Sequence, residues 1–286
     1  MRWRDGRRSD NVEDQRGSGV SKGVIGGGIG LLIVLVIGFL MGADPLTLLG
    51  ILVQEGGSTL DGLTPSAPLS AADNESADFV SVVLADTEDT WQVIFQQRGM
   101  VYQQPKLVLF TGGVESACGF AQSAMGPFYC PGDQKVYIDL DFYRELKDQL
   151  GAPGDFAQAY VIAHEVGHHV QNLMGTSDEV QRLQGRSDEV TANKYSVMLE
   201  LQADCYAGVW ANHADSQRQV IEEGDIEEAM NAAAKIGDDA LQKQSQGYVV
   251  PDSFTHGTSA QRMKWFNTGF VSGDIDSCDT FNAAVV

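Results

Sequence analysis

Residues 163–169, Ala-His-Glu-Val-Gly-His-His, carry two histidines and a glutamate at a spacing suited to hydrolysis on a metal ion. On a helix, His164 and His168 lie one turn apart, about 6 Å along the axis, so both imidazoles can bind one ion. Glu165 is rotated by about 100° from His164, where it can reach a water molecule on that ion. Residues 156–173 are mostly apolar, as in a buried helix, and polar side chains buried there need a reason. The pattern favours a zinc hydrolase over histidines that merely fill a core.

A zinc ion with two histidine ligands needs a third protein ligand and, for catalysis, an open position. Residues 197–211 are apolar in nearly every direction of a helical wheel, which predicts an inner helix carrying Glu200 and Asp204 one turn apart. Because buried carboxylates are costly unless paired or bound to metal, Glu200 is the expected third ligand. Asp204 would accept the proton-bearing nitrogen of a ligand histidine and fix its tautomer. The alternative, two acids on a solvated face, is disfavoured because the wheel leaves no such face.

Two more histidines lie near these motifs. His169 follows a ligand directly and points about 100° away from it, and His213 comes just after the apolar helix. We expect both to lie on the surface or behind the ligands rather than on the metal. A metzincin would need glycine at Gln171 and histidine at Met174, so that class is excluded.

The elements that must position these residues can be predicted from periodicity. Residues 79–97 have apolar spacings near three and four, which predicts one or two helices. Residues 106–111 and 135–140 are short runs rich in β-branched and aromatic residues, which predicts two strands. Residues 141–150 return to helical spacing. A Gly-Ala-Pro-Gly break at 151–154 then leaves Asp155 as the expected N-cap of the metal-binding helix, and Gly175 should end it. Residues 174–193 are polar and predict a surface connection with room for a short helix.

The first 78 residues differ in composition from the rest. Residues 1–22 carry six basic side chains, and residues 23–43 carry no charge, which is long enough to cross a bilayer as a helix. We expect a transmembrane anchor with the basic end in the cytoplasm; a cleaved signal peptide is the alternative. Residues 44–78, rich in Gly, Ser, Pro and acids, predict a flexible tether. The globular domain would then span residues 79–286, outside the cytoplasm.

Charge and cysteines constrain the partners and the compartment. The formal net charge of −20 argues against nucleic acid, because no basic patch is visible beyond the N-terminus. The membrane is the expected partner of residues 23–43. An extracytoplasmic domain would lie in an oxidising compartment, so the four cysteines are expected to form disulfides Cys118–Cys130 and Cys205–Cys278; in the cytoplasm they would be small core residues.

Four motifs together resemble the YpfJ-like neutral zinc metallopeptidases of bacteria, which have one N-terminal membrane anchor. They are the sequence from His164 to His169, Glu-Leu-Gln-Ala-Asp-Cys at 200–205, Gly-Pro-Phe-Tyr-Cys-Pro at 126–131 and His-Gly-Thr at 256–258, with the Met-Arg-Trp-Arg opening. The resemblance covers almost the whole chain. It implies an α+β, zincin-like domain preceded by one transmembrane helix, with a small sheet and a core of the HExxH helix and a helix supplying the glutamate ligand. It also implies Zn²⁺ as the cofactor and a place in the bacterial inner membrane.

The expected mechanism follows from these residues. A zinc ion on His164, His168 and Glu200 would acidify a bound water, and Glu165 would act as general base and then acid in hydrolysing a peptide or protein substrate. His256 lies in a motif that resembles a histidine motif of membrane-linked gluzincins, which implies a donor to the developing oxyanion. One of the predicted strands, for example residues 106–111, could pair with an extended peptide, and the sequence does not determine which one. Two alternatives stay open: a non-peptidase zinc hydrolase, and a membrane-tethered binding protein whose structural zinc is closed by a fourth ligand, His169 or a cysteine.

Overall fold

The computed structural model describes residues 1–17, 70–122 and 126–283, and within them the chain forms a mixed α and β domain. A four-stranded sheet has the order β1-β2-β6-β5, in which β1, β2 and β6 are parallel and β5 is antiparallel to β6. Strands β3 and β4 form a separate hairpin. The strands are β1 (Val12–Asp14), β2 (Lys106–Phe110), β3 (Gly113–Ser116), β4 (Gly119–Gln122), β5 (Phe128–Cys130) and β6 (Lys135–Asp139).

Helices make up most of the remaining described chain. The first begins at a capping box in which Ser70 accepts a hydrogen bond from the Asp73 amide, and the last begins at an equivalent box between Thr258 and Gln261. The helices are α1 (Ala71–Gln97), α2 (Asp141–Asp148), α3 (Asp155–Leu173), α4 (Thr176–Gln184), α5 (Glu189–Arg218), α6 (Asp225–Lys235), α7 (Asp238–Gln246) and α8 (Ser259–Ser272), with short 3₁₀ turns at Pro251–Ser253 and Ile275–Cys278.

Helix α3 is buried along nearly its whole length and packs against α1, α5, α6 and the sheet. It approaches α5 closely at Gly167, where an added Cβ would lie 3.0 Å from the carbonyl oxygen of Ala203. A larger residue there would push apart the two helices that carry the predicted metal ligands. Asp155 is the first residue of α3 and Gly154 occupies the N-cap, so the N-cap prediction is off by one residue; Gly154 has φ of 121°, which glycine adopts readily.

Helix α5 also packs tightly against α8. An added Cβ at Gly269 would lie 1.9 Å from the carbonyl oxygen of Cys205, so only glycine allows this approach. The disulfide Cys205–Cys278 joins α5 to the 3₁₀ turn that follows α8, and Cys118–Cys130 joins the β3–β4 turn to β5. Both expected disulfides are therefore present.

Several predicted boundaries differ from the structure. Residues 79–97 belong to a single helix that begins at Ala71, so the tether predicted over 44–78 is wrong for its last eight residues. The predicted inner helix at 197–211 is the middle of the much longer α5, and residues 174–193 contain α4 and the start of α5. The first turns of α1 are held by the capping box at Ser70 and by the ion pairs of Glu75 with Arg4 and of Asp78 with Arg8.

The N-terminal residues are also organised differently from the prediction. Residues 1–15 form one compact unit with residues 70–286, and β1 adds a strand to the main sheet. The prediction of a separate basic segment over 1–22 is therefore wrong for residues 1–15. The predicted membrane span at 23–43 and residues 44–69 of the predicted tether lie outside the described residues. Among the helices that the structure does describe, none combines the length and apolarity needed to cross a bilayer.

Strand β2 cannot accept a peptide by strand addition, which corrects the prediction for residues 106–111. It is paired with β1 on one side and with β6 on the other, so its backbone groups are already used on both edges. Strand β1 could not be recognised from the sequence, because two of its three residues are acidic. The sheet edge beside α3 is β5 instead.

Candidate metal centre

The side chains of His164, His168 and Glu200 converge between α3 and α5. The Nε2 atoms of the two histidines lie 3.1 Å and 3.4 Å from the two carboxylate oxygens of Glu200, and the potential ligand atoms all lie within 4.8 Å of one another. The group is at most 18% exposed. Two imidazoles and one carboxylate form a donor set found in catalytic zinc sites, which keep the fourth position for water. The three residues therefore fit a zinc ion.

A buried network holds the first histidine from behind. The Nδ1 atom of His164 lies 2.8 Å from Asp204, whose carboxylate also accepts hydrogen bonds from the Tyr160 hydroxyl and from the Arg262 guanidinium at 2.8 Å and 2.9 Å. Asp204 is 0% exposed and Arg262 2% exposed. With Nδ1–H donating to Asp204, the Nε2 lone pair of His164 points to the metal position. Arg262 compensates the carboxylate charge that this arrangement buries.

These contacts set the charge states of the network. Burial would raise the pKa of Asp204, but Arg262 and His164 outweigh it and lower the pKa to about 2. Burial would likewise lower the pKa of His164, yet Asp204 and Glu200 raise it to about 9. The pKa of Glu200 is well below its ordinary value because the neighbouring imidazoles outweigh the effect of burial. Because an imidazole binds metal only in its neutral form, metal binding by His164 and His168 would release protons and would depend on pH.

The second histidine has its own support. His168 Nδ1 lies 2.9 Å from the side-chain oxygen of Gln171, three residues further along α3. The amide nitrogen of Gln171 donates to the Leu199 carbonyl and to Gln202 on α5, so the amide is fixed from both sides. This orientation of Gln171 leaves its oxygen as the acceptor for His168 Nδ1–H and frees Nε2 for the metal.

The metal position opens into a large cleft of about 1110 Å³. Glu165 lines the cleft together with the three candidate ligands and is 8% exposed. Apolar side chains form part of the wall, among them Phe142 and Val161, the latter one turn before His164. The edge strand β5 lines it as well, through Phe128 and Tyr129. A carboxylate beside the metal position thus shares one cleft with β5, which is the edge strand of the sheet within the described part of the chain.

His256 lies at the rim of the same cleft. Its side chain is 51% exposed, and its Nδ1 atom is 3.4 Å from Asp238 at the start of α7. The other oxygen of Asp238 accepts hydrogen bonds from the amides of Thr255, His256 and Gly257, so one carboxylate shapes the whole loop. Asp238 also raises the pKa of His256 by hydrogen bonding, against the lowering effect of burial.

The other two histidines take no part in this arrangement. His169 is fully buried, and its ring nitrogens contact the Tyr129 hydroxyl at 3.0 Å and the Gln103 carbonyl at 2.6 Å. It fastens β5 and the segment before β2 to α3, so the expectation of a surface position or one behind the ligands is wrong. Half-buried His213, near the C-terminal end of α5, donates from Nε2 to the Gly273 carbonyl at 2.9 Å and accepts at Nδ1 from the Gln217 side-chain amide at 2.9 Å.

Sequence reasoning missed three residues that the structure places at the site. Gln171 could have been found, because it stands three residues after His168 on the same helix. Arg262 and Asp238 gave no such signal, since Arg262 is 58 residues from its partner Asp204 and Asp238 is 18 residues from His256. Only the packing of α8 and α7 brings them to the cleft.

The fold and this site agree with comparisons to known proteins. Residues 1–281 match the model of the family described as putative neutral zinc metallopeptidase, and the chain belongs to that family. It is 52% identical to YpfJ of Escherichia coli (strain K12) over the full length of both chains. It is 40% identical to the protein Mb2605 of Mycobacterium bovis, over 86% of this chain and 85% of the relative. Both relatives are uncharacterised proteins, and no solved structure matches the chain.

Proposed function

We propose that this protein is a zinc metallopeptidase that hydrolyses peptide bonds with Glu165 as general base. The observation that carries the proposal is the convergence of two imidazoles and one carboxylate within 4.8 Å at the floor of a cleft that Glu165 also lines. An HExxH helix with a glutamate ligand from a second helix is the donor arrangement of metallopeptidases. Family membership supports the same reaction class.

The protein groups divide the work of hydrolysis. A zinc ion held by His164, His168 and Glu200 would polarise the scissile carbonyl and lower the pKa of a bound water to about 7. Glu165 accepts the proton of the attacking water and returns it to the leaving amine. Asp204 keeps His164 in the tautomer that presents Nε2, and Gln171 does the same for His168.

The substrate would bind as an extended strand along β5. Among the described residues this strand pairs only with β6 and it lines the cleft, so its outer edge is the side on which a peptide could add as a further strand. Phe128 stacks on Tyr137 and Tyr129 contacts His169, so the strand is fixed against the sheet and α3. A fixed edge strand lowers the entropy lost when the peptide binds.

His256 would stabilise the negative charge that develops on the carbonyl oxygen. Its raised pKa favours the protonated form, which is a donor on both ring nitrogens, and Asp238 holds its loop at the cleft. A structural zinc protein is less well supported. The fourth ligand it requires is missing from the described residues, because His169 is hydrogen-bonded elsewhere and all four cysteines are in disulfides.

The experiment combines metal analysis with peptide cleavage. Wild type, Glu165→Gln and Glu200→Gln would each be measured for zinc per chain and for cleavage of a proteome-derived peptide library, with and without a chelator. We expect Glu165→Gln to retain zinc and to lose at least about 100-fold in turnover, since general base catalysis supplies that much. Glu200→Gln should lose both. Cleavage by Glu165→Gln at the wild-type rate would overturn the mechanism, and a library that is cut equally with chelator would overturn the zinc dependence.

The domain with the metal site is proposed to lie outside the cytoplasm at the bacterial inner membrane. Two disulfides support this, because they persist in oxidising compartments. The proposed partners are a peptide or protein substrate and the membrane, which residues 23–43 would contact.

A further inference from the structure

Residues 1–15 are built into the domain that carries the metal site. Strand β1 pairs in parallel with β2 over three residues, and the Leu107 and Gln15 amides extend the pairing by bonds of 2.9 Å and 2.8 Å to Asn11 and Leu109. Before β1, the Ser9 amide donates to the Ser81 carbonyl on α1, and the Arg2 amide donates to the Val220 carbonyl after α5. The segment thus contacts three separate parts of the domain through its backbone.

A buried carboxylate on α1 depends on this segment. Glu88 is 1% exposed, and its oxygens accept hydrogen bonds from Arg7 at 2.8 Å, Ser9 at 2.5 Å and Asn11 at 2.8 Å. All three donors lie within residues 1–15. Without that segment Glu88 would lose these partners, and burying an unpaired carboxylate is strongly unfavourable. The sequence of α1 is therefore adapted to the docked segment.

The basic side chains of the segment are also matched by acids on α1. Arg4 pairs with Glu75 at 2.5 Å and Arg8 with Asp78 at 2.6 Å. Trp3 is buried edge-on against Phe79, a side chain of the core. The arginines are thus partners of the acidic face of α1, and their charge is not available as a free cytoplasmic signal for membrane orientation.

We infer that residues 1–15 and residues 70–286 lie on the same side of the membrane, so that the chain between them makes no net crossing. A bilayer cannot pass between a strand and its neighbour in one sheet, or between Glu88 and its hydrogen-bond donors. A single crossing between residues 15 and 70 would require that separation. The basic N-terminus and the metal site therefore share one compartment, which replaces the orientation expected from the sequence.

The length of the apolar sequence limits how many times the chain can cross the membrane. Two helical crossings would need about 40 predominantly apolar residues. Residues 23–53 offer 31 positions, one of them Asp44. The apolar sequence is therefore too short for two full crossings.

Two exposed partners provide the test in the full-length protein. Arg4 and Glu75 are 71% and 58% exposed, so cysteine is tolerated at either position, and the four native cysteines are already paired. The full-length variants Arg4→Cys, Glu75→Cys and the double variant would be expressed in bacteria, and spheroplasts would be prepared from each strain. Each single variant is labelled with a membrane-impermeant maleimide before and after permeabilisation, and the double variant is treated with a short bis-maleimide. Arg4→Cys combined with Glu179→Cys, on α4, is the control for random cross-linking.

We expect Arg4→Cys and Glu75→Cys to be labelled to the same extent, whether before or only after permeabilisation. We also expect the double variant to cross-link at least ten times more than the control pair. Labelling of Glu75→Cys in intact spheroplasts with full protection of Arg4→Cys would overturn the inference. So would a mature chain that lacks residue 4. Peptidase activity enters neither readout, so the outcome is independent of the proposed reaction.

Discussion

Replacing Asp204 with asparagine keeps the shape of the side chain and removes the charge on which Arg262 and His164 depend. Asp204 is fully buried and accepts hydrogen bonds from Tyr160, His164 and Arg262. An asparagine would turn one of its acceptors into a donor facing these donors, and the Arg262 charge would be left buried without its counter-ion. We therefore expect losses in both stability and zinc affinity.

The same contacts determine how large these losses are. Lowering the pKa of Asp204 from 3.8 to about 2 corresponds to about 2 kcal/mol of folding free energy at neutral pH. Breaking a buried ion pair by removing one partner costs about 3–5 kcal/mol. We expect Asp204→Asn to lower the free energy of unfolding by about 2–5 kcal/mol. Loss of the group that orients His164 should weaken zinc binding by about 10- to 100-fold.

The sign of the pH dependence is fixed by the direction of the shift. Because the folded pKa lies below the unfolded one, the stabilisation by Asp204 is complete above pH of about 4 and is lost as pH falls toward 2. The stability difference between wild type and Asp204→Asn should therefore shrink in that acid range. It should also shrink as pH rises from about 6.5 through 9, because Asp204 helps to raise the pKa of His164 to about 9 in the folded protein. Denaturant unfolding of the metal-free proteins at several pH values measures it.

A matched control separates orientation of the ligand from general loss of stability. Asp86 on α1 is also buried, and it accepts hydrogen bonds from Arg218 at 2.5 Å and from the Trp210 indole at 2.8 Å, without a role at the metal site. Asp86→Asn should destabilise the fold and leave zinc affinity unchanged, as measured by competition with a chelator. Wild-type zinc affinity in Asp204→Asn would refute the reasoning about His164, even if stability falls.

Three other predictions concern parts of the site and its support. Gln171→Met, which keeps the length but not the acceptor, should weaken zinc binding by about 10-fold in the same competition assay, and an unchanged affinity would contradict the role of the amide. Asp238→Asn should lower kcat more than it raises KM, because the His256 loop loses its acceptor; an effect on KM alone would point to substrate binding. Replacing Cys205 and Cys278 by serine should lower the free energy of unfolding by about 4 kcal/mol in denaturant titrations, since the disulfide closes a loop of 73 residues; an equally stable variant would contradict this.

The sequence alone determined the parts of the site that depend on helical spacing. His164 and His168 share a face because four residues make about one turn, and Glu200 and Asp204 do so for the same reason on α5. The strands at β2 and β6 were also predicted within one residue of their ends, because short β-branched and aromatic runs bounded by Pro or Gly favour a strand.

Which elements pack against one another could be read only from the tertiary structure. Arg262 reaches Asp204 because Gly269 lets α8 lie against α5, and no local pattern encodes a contact across 58 residues. Which strand is an edge depends on the pairing of the whole sheet, and β1 covers β2 although its own three residues carry two acids. Periodicity specifies which face of an element is apolar, whereas the partner of that face is chosen by the packing of all elements together.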